Sequence, residues 1–102
     1  MSDIKVLQQR ANEIRRRYDQ LNKQREGKPW DATKLANGLK KDVEELIEIL
    51  DQTPINQKKL DHELSDCLWS VLILARKLDV DIERVFWATM AELDTSLDKE
   101  LS

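Results

Sequence analysis

HELSDCLWSVLILA, residues 62–75, is the stretch that decides the fold. A helix turns by about 100° per residue, so the run VLILA at residues 71–75 predicts a helix that is apolar on every side. A helix of that kind is buried inside a protein. One turn before the run, Glu63 and Asp66 are three residues apart and therefore share one face. Acidic side chains are rarely buried unless they are paired or bind a cation, so this pair indicates a site.

A second acidic pair lies upstream, in a segment that reads as another amphipathic helix. Its apolar stripe consists of Leu35, Leu39, Val43, Leu46 and Leu50. On a helical wheel centred on Leu46, Asp42 falls about 40° away, within the stripe, and Glu45 about 100° away, at its edge. Glu44 and Glu48 fall on the far side, where water reaches them. The sequence therefore has D-x-x-E on one helix and E-x-x-D on the next.

Length and composition predict one small helical domain covering residues 1–102. A chain of this size buries roughly 65% of its unfolded surface, which is enough for one core. Charged residues make up 36% of the sequence, and there are only two Gly and two Pro, which is typical of helices joined by short loops. The single cysteine, Cys67, excludes an internal disulfide and reads as an inert core thiol.

Charge and hydropathy also limit the partners that we expect. The net charge of −3 provides no basic face for a nucleic-acid polymer. The opening residues, MSDIKV, have no apolar signal-like segment, and no run reaches the roughly 18 apolar residues of a membrane span. We therefore expect a cytoplasmic protein that binds neither nucleic-acid polymers nor membranes.

Apolar spacing and capping residues predict four helices. The first, residues 3–25, has a coiled-coil-like seam with alternating spacings of three and four: Ile4, Leu7, Ala11, Ile14, Tyr18 and Leu21. Asp31 is a suitable cap for a second helix over residues 32–52, and Thr53 or Asn56 for a third that ends near residue 78. Asp81 caps a fourth, which we expect to fray after residue 97. Its expected core stripe is Ile82, Phe86, Met90, Leu93 and Leu97.

Several residues near the acids have two interpretations. The arginines at 15–17 lie off the seam and form either a solvated basic face or an attraction for a polyanion or an acidic neighbour. Trp30 either packs its loop onto the core or offers a flat face to a planar ligand. Trp69 lies about 60° from the acidic face of its helix. Lys59 forms either an ordinary ion pair or a phosphate contact, and His62 reads as a surface residue.

Two acidic pairs on neighbouring helices suggest a cation site. Antiparallel helices joined by a short loop face each other, which would bring the four carboxylates together. Converging carboxylates repel unless a cation lies between them. Oxygen donors favour Mg²⁺, which keeps some waters and binds phosphate oxygens, and such a site suits hydrolysis of a phosphoanhydride.

Two other interpretations compete with this one. In the first, the acids form surface ion pairs in a non-catalytic helical interaction module, with Lys40, Lys41, Lys59 or Arg76 as partners. A magnesium-induced rise in melting temperature would distinguish an enzyme from such a module. The second, a di-iron bundle, fails because the sequence has no E-x-x-H pair.

The order of these motifs resembles a known superfamily. Trp30, then D-x-x-E-L, then HELSDCLWSVLILA, then DVDIE resembles the MazG-like all-α nucleotide pyrophosphohydrolases, which include dimeric dUTPases and dCTP pyrophosphatases. The match covers roughly residues 30–97. The resemblance implies an all-α, four-helix chain whose bundle is completed by forming a homodimer or homotetramer. It also implies house-cleaning hydrolysis of a nucleoside triphosphate, standard, deoxy or non-standard, to the monophosphate and pyrophosphate.

The resemblance and the residues together give specific site predictions. The implied Mg²⁺ ligands, which could also bind Mn²⁺, are Asp42, Glu45, Glu63 and Asp66. The predicted substrate-binding residues are Trp30 and Trp69 for the base and Lys59 for phosphate. The position of Asp42 among apolar neighbours favours it as the catalytic acceptor of the proton from water. The chain departs from the family pattern in having Asp rather than Glu at position 42. It also has AELD, residues 91–94, where relatives often carry Lys and Asn.

Overall fold

The structure, a computed structural model, describes residues 3–102, apart from the side chain of Glu26. Four α-helices follow one another along the chain: α1 (Asp3–Glu26), α2 (Ala32–Leu50), α3 (Gln57–Lys77) and α4 (Ile82–Leu101). The described residues contain no strand, so the all-α, four-helix prediction is confirmed. The expected fraying after residue 97 is wrong, because α4 continues to Leu101. Within residues 3–102, no helix is both long enough and apolar enough to cross a bilayer.

Three of the helices begin at a side chain that caps the first turn. In each case a side-chain oxygen accepts a hydrogen bond from the backbone N–H three residues later, which satisfies one of the unpaired donors at a helix start. The caps are Asp31 for α2, Asn56 for α3 and Asp81 for α4, with donor–acceptor distances of 2.9, 3.1 and 3.2 Å. These caps were all predicted, and Asn56 rather than Thr53 begins α3.

The core lies where α3 packs between α1 and α2. Only residues 51–56 connect α2 to α3, and the two helices pack extensively against each other. The buried cluster at the centre comprises Ala11, Leu35, Leu72 and Ile73, with Trp30 and Trp69 among the residues packed against it. The indole Nε1 of Trp69 also donates to the carbonyl of Ala11 at 3.1 Å, which fixes α1 on α3. This packing places the acidic segments of α2 and α3 side by side.

The fourth helix does not join this core, which corrects the prediction of a core stripe on α4. Phe86, Leu93 and Leu97 are at least half exposed, and Met90 is also exposed. Ile82, at the start of the helix, is the one member of the stripe that packs against the core cluster. The radius of gyration is 16.7 Å, whereas a compact domain of about 100 residues has one of roughly 13 Å. The sequence does have an apolar stripe along α4, but no other helix of the described chain covers that stripe after Ile82.

The end of α3 provides a stability prediction. Asp79 has a φ of +57°, and the backbone N–H of Val80 bonds to the carbonyl of Ala75 at 2.8 Å, as in a Schellman motif. Glycine adopts this left-handed conformation without the steric cost that a Cβ imposes. We therefore expect Asp79→Gly to raise the free energy of unfolding by about 0.5–1 kcal/mol. Urea denaturation measures the change, and a destabilised variant would mean that the Asp79 side chain itself stabilises the turn.

Candidate metal and nucleotide site

Three acidic side chains from α2 and α3 converge at the centre of the site. Asp42, Glu45 and Glu63 each offer a carboxylate oxygen, and these oxygens lie within 4.8 Å of one another. Asp42 and Glu45 are half-buried, whereas Glu63 is only 6% exposed. The sequence placed the deepest acid at position 42, but the structure places it at position 63. Three of the four predicted ligands are thus brought together, and we call them the acidic triad.

The surroundings of Glu63 fit a cation. Its pKa is raised from 4.5 to about 7, chiefly by burial and then by the charge of Glu45, a hydrogen bond to Glu45 and the charges of Asp42 and Asp66. Its Oε1 atom is buried and has no hydrogen-bond partner among the described residues. A buried carboxylate needs a charged or hydrogen-bonding partner to offset its lost hydration. A divalent cation held by the triad would supply that partner.

The fourth predicted ligand, Asp66, lies beside the triad but outside it. Its Oδ2 is 3.1 Å from Nε2 of His62, one turn earlier on α3. Burial raises the pKa of Asp66, His62 opposes that shift, and the charges of Asp42 and Glu45 add to it. Asp66 is therefore close enough for the charges of the triad to affect its pKa, while its carboxylate contacts His62. Its role as a ligand stays a prediction.

The surface ion pairs of the alternative interpretation are absent from the described part of the chain. Among residues 3–102, the acids of the site form one ion pair, that of Asp66 with His62. The cations that the alternative required, Lys40, Lys41, Lys59 and Arg76, have no described ion pair with them. His62 is the surface residue that the sequence indicated, since its side chain is 75% exposed.

Asp42 is held in place by a residue that the sequence analysis left without a role. The hydroxyl of Ser70 donates to Oδ2 of Asp42 at 2.9 Å, and Ser70 is 5% exposed. This bond orients the carboxylate and leaves its Oδ1 atom for a cation or a water molecule. Ser70 lies one turn after Asp66 on the same face of α3, and that spacing was the available signal.

An aromatic cleft of about 330 Å³ adjoins the triad at Asp42. Its walls include the side chains of Trp30 and Trp69 and three cations, Arg15, Arg25 and Lys41. Trp30 packs against the core, as its first interpretation expected, and it also lines the cleft. Its contact with a planar ligand stays a prediction. A Cβ at Gly38 would lie 3.7 Å from the Trp30 ring, so this glycine sits directly beneath the indole. Two tryptophans are thus placed within one cleft beside an acid of the triad.

A second cleft, of about 680 Å³, borders the other side of the triad. It lies between the end of α2 and the start of α3, and its lining includes Glu45, Glu63, Lys58 and Lys59. Lys59 therefore lines the same cleft as two members of the triad, and its role as a phosphate contact stays a prediction. Lys58, which the sequence analysis did not single out, lines the cleft as well. We call this space the lysine cleft. The triad lies between it and the aromatic cleft.

Arg15 was the least predictable residue near the site. The sequence left two interpretations for the arginines at 15–17, a solvated face or an attraction for a negative partner, and Arg16 and Arg17 are exposed. The side chain of Arg15 is instead 12% exposed, and its Nε donates to Oδ1 of Asp19 at 3.1 Å. It therefore takes the other option, an acidic neighbour, and it also lines the aromatic cleft.

Comparison with known proteins identifies the family. The MazG nucleotide pyrophosphohydrolase domain matches residues 31–98, which is more than half of the chain and includes every acid of the site. The chain belongs to the MazG nucleotide pyrophosphohydrolase family. The prediction of a hydrolase that acts on phosphoanhydride bonds is confirmed. In the same comparisons, no curated protein and no solved structure matched this MazG chain.

The raised pKa of Glu63 predicts how the stability of this MazG chain depends on pH without metal. Because the folded protein holds the proton up to about pH 7 and the unfolded chain releases it near 4.5, folding stability falls as pH rises between these values. The charged carboxylate therefore carries a folding penalty above pH 7. Glu63→Gln should remove it, so the variant should gain stability over the wild type at pH 8 and not at pH 4. Urea denaturation with a chelator tests this, and parallel pH profiles for the two proteins would contradict it.

Proposed function

We propose that this chain is a Mg²⁺-dependent hydrolase that cleaves a nucleoside triphosphate into a monophosphate and pyrophosphate. The observation that carries the proposal is Glu63, a buried acid with an unpartnered oxygen in a cluster of three carboxylates. In a non-catalytic module, a buried carboxylate of this kind would lower folding stability and serve no function. The family supports nucleotide pyrophosphohydrolysis in general, and the proposal adds the metal, the products and a house-cleaning role on deoxy or non-standard nucleotides.

Glu45 and Glu63 would hold the cation directly and Asp42 through a bound water, with Asp66 as a further ligand if it turns from His62. Mg²⁺, or Mn²⁺ in its place, would neutralise phosphate charge and make a bound water more acidic. Asp42 is placed to take a proton from the attacking water, because Ser70 fixes one of its oxygens and the carboxylate lines the aromatic cleft. Glu45 and Glu63 act as ligands in this assignment.

The two clefts suggest how the substrate is placed. The base and sugar would occupy the aromatic cleft, against Trp30 and Trp69. The phosphate chain would then cross the triad towards the lysine cleft, where Lys59 meets the pyrophosphate end. Lysine ammonium groups bind phosphate as point charges, which suits a flexible leaving group.

The tryptophans give this arrangement an optical test. We expect an α,β-methylene nucleoside triphosphate with Mg²⁺ to quench tryptophan fluorescence, because a base stacks on or lies against Trp30 or Trp69. Stacking on an aromatic side chain is worth roughly 1–3 kcal/mol per base. Trp87→Phe is the matched control, since this residue is 66% exposed on α4 and its loss should leave the quenching intact. Unchanged fluorescence when calorimetry detects binding would exclude both cleft tryptophans.

We also propose that the chain is a single domain over residues 1–102 that forms a cytoplasmic homodimer or homotetramer. Exposed apolar side chains recur at helical spacing on α2, α3 and α4: Val43, Ile47, Leu50, Leu64, Leu68, Val71, Phe86, Met90, Leu93 and Leu97. Exposed apolar stripes on several helices indicate association, and a second copy of the chain is the simplest partner. Sedimentation should show a dimer or tetramer, and a monomer at micromolar concentration would contradict this.

The direct test of function is a screen of nucleoside triphosphates for their products. We expect Mg²⁺-dependent release of pyrophosphate and monophosphate in equal amounts, seen by chromatography and phosphorus NMR. A chelator should stop the reaction, and Mn²⁺ should restore it. Release of inorganic phosphate with a diphosphate would overturn the proposed products. The absence of turnover for every nucleotide in the presence of either metal would overturn the proposal as a whole.

A further inference from the structure

Arg15 occupies an unusual position in the wall of the aromatic cleft. Its guanidinium carbon lies 5.5 Å from the ring centroid of Tyr18, 5.4 Å from that of Trp30 and 5.8 Å from that of Trp69. A guanidinium within about 6 Å of an aromatic centroid is attracted by the ring. Three such contacts, together with the bond from Nε to Asp19, hold the group in one place at the surface of the cleft.

The hydrogen bonds of Arg15 leave two nitrogens of its guanidinium group available. Nε donates to Asp19, and no described residue accepts a hydrogen bond from Nη1 or Nη2. Arginine has donors and no acceptor, so any group that meets these two nitrogens must accept. The largely buried guanidinium is therefore pre-organised to bind an acceptor in the cleft.

The other two cations of the cleft also require acceptors. Arg25 and Lys41 also line it, and Asp42 of the triad is the one carboxylate among its lining residues. Asp19, the acid that pairs with Arg15, does not line this cleft. If a ligand placed an amino group against Arg15, two sets of donors would face each other. A donor left unpaired in a desolvated site weakens binding of the ligand.

We propose that Arg15 reads the substrate base and makes the chain selective for nucleotides whose base presents acceptors, with 6-oxopurines the best match. The O6 and N7 atoms of a 6-oxopurine are two neighbouring acceptors that an arginine fork binds together, whereas adenine has a donating amino group in place of O6. This inference rests on the proposed function, because it takes the aromatic cleft to be the place where the base binds.

The test compares inosine and adenosine α,β-methylene triphosphates, a pair that differs at the 6-position edge that Arg15 would read. Calorimetry with Mg²⁺ should show that the inosine analogue binds about 5- to 150-fold more tightly, the range for one bidentate arginine–base contact. Arg15→Lys keeps the charge but loses the fork, so it should remove most of this preference by weakening the inosine analogue alone. Arg17→Lys, an exposed position on the same helix, should keep the wild-type ratio.

Each outcome decides the inference. Equal binding of the two analogues by the wild type overturns it, as does an Arg15→Lys variant that keeps the preference. If Arg15→Lys does not fold, Asp19→Ala replaces it, because removing the acceptor of the Nε hydrogen bond should free the guanidinium and reduce the ratio. If nucleotides are hydrolysed without base preference, the inference fails and the proposed function stands. If neither analogue binds and no nucleotide is hydrolysed, both fail.

Discussion

Replacing Glu63 by Gln should reduce nucleotide turnover by at least about 100-fold while the helices remain folded. Glu63 is the buried member of the triad, and a neutral amide in its place removes the charge that a cation needs. Asp66→Asn should also abolish turnover if Asp66 turns from His62 to complete the site. Steady-state rates at increasing Mg²⁺ concentration, with circular dichroism for the fold, measure both effects.

A nearby acid outside the site provides the matched control for these variants. Glu44 lies on the same helix as Glu45 but is exposed and outside the triad, so Glu44→Gln should retain wild-type turnover. This control separates a loss of ligands from a general loss of negative charge. Wild-type turnover of Glu63→Gln at saturating Mg²⁺ would show that the triad is not the metal site. The same result for Asp66→Asn would remove Asp66 alone from the ligand set.

Asp42→Asn should lower kcat by roughly 100-fold or more, the usual contribution of a general base, with little change in Mg²⁺ or nucleotide binding. The substitution keeps the shape of the side chain, and its amide oxygen can still accept from the hydroxyl of Ser70. What it removes is the ability to take a proton. Glu45→Gln should act differently, by raising the Mg²⁺ concentration that the reaction requires.

The Mg²⁺ dependence of the two variants decides between these roles. If extra Mg²⁺ restores the rate of Asp42→Asn, then Asp42 is a ligand and the base lies elsewhere. Ser70→Ala is a further comparison, because it leaves the Asp42 carboxylate intact and loosens its orientation. It should lower kcat less than Asp42→Asn does.

Sequence patterns were sufficient for the parts of the fold that depend on local chemistry. The caps at Asp31, Asn56 and Asp81 follow from side-chain oxygens placed before amphipathic segments. The meeting of Asp42 and Glu45 with Glu63 follows from three-residue spacing on two helices that a short loop brings together. In both cases the prediction depends only on residues within one or two turns of a helix.

The parts that failed depend on contacts between distant segments. The stripe of α4 is apolar, but periodicity does not say which surface covers it, and no helix of the described chain does. Arg15 lies off the seam of α1 like Arg16 and Arg17, and only the packing of α1 against α3 shows that it is largely shielded from water. The orientation of Asp66 was equally hidden, because either the triad or His62 can be its neighbour on the same helical face.

The measurement that tests the central claim most directly is the melting temperature at pH 8 during a Mg²⁺ titration. A ligand that binds only the folded state raises the melting temperature as its concentration exceeds the dissociation constant. The account predicts a saturable rise for the wild type and a much smaller one for Glu63→Gln, with NaCl used to match ionic strength. A wild-type melting temperature that responds to Mg²⁺ no more than to NaCl would contradict the claim that the acidic triad is a metal site.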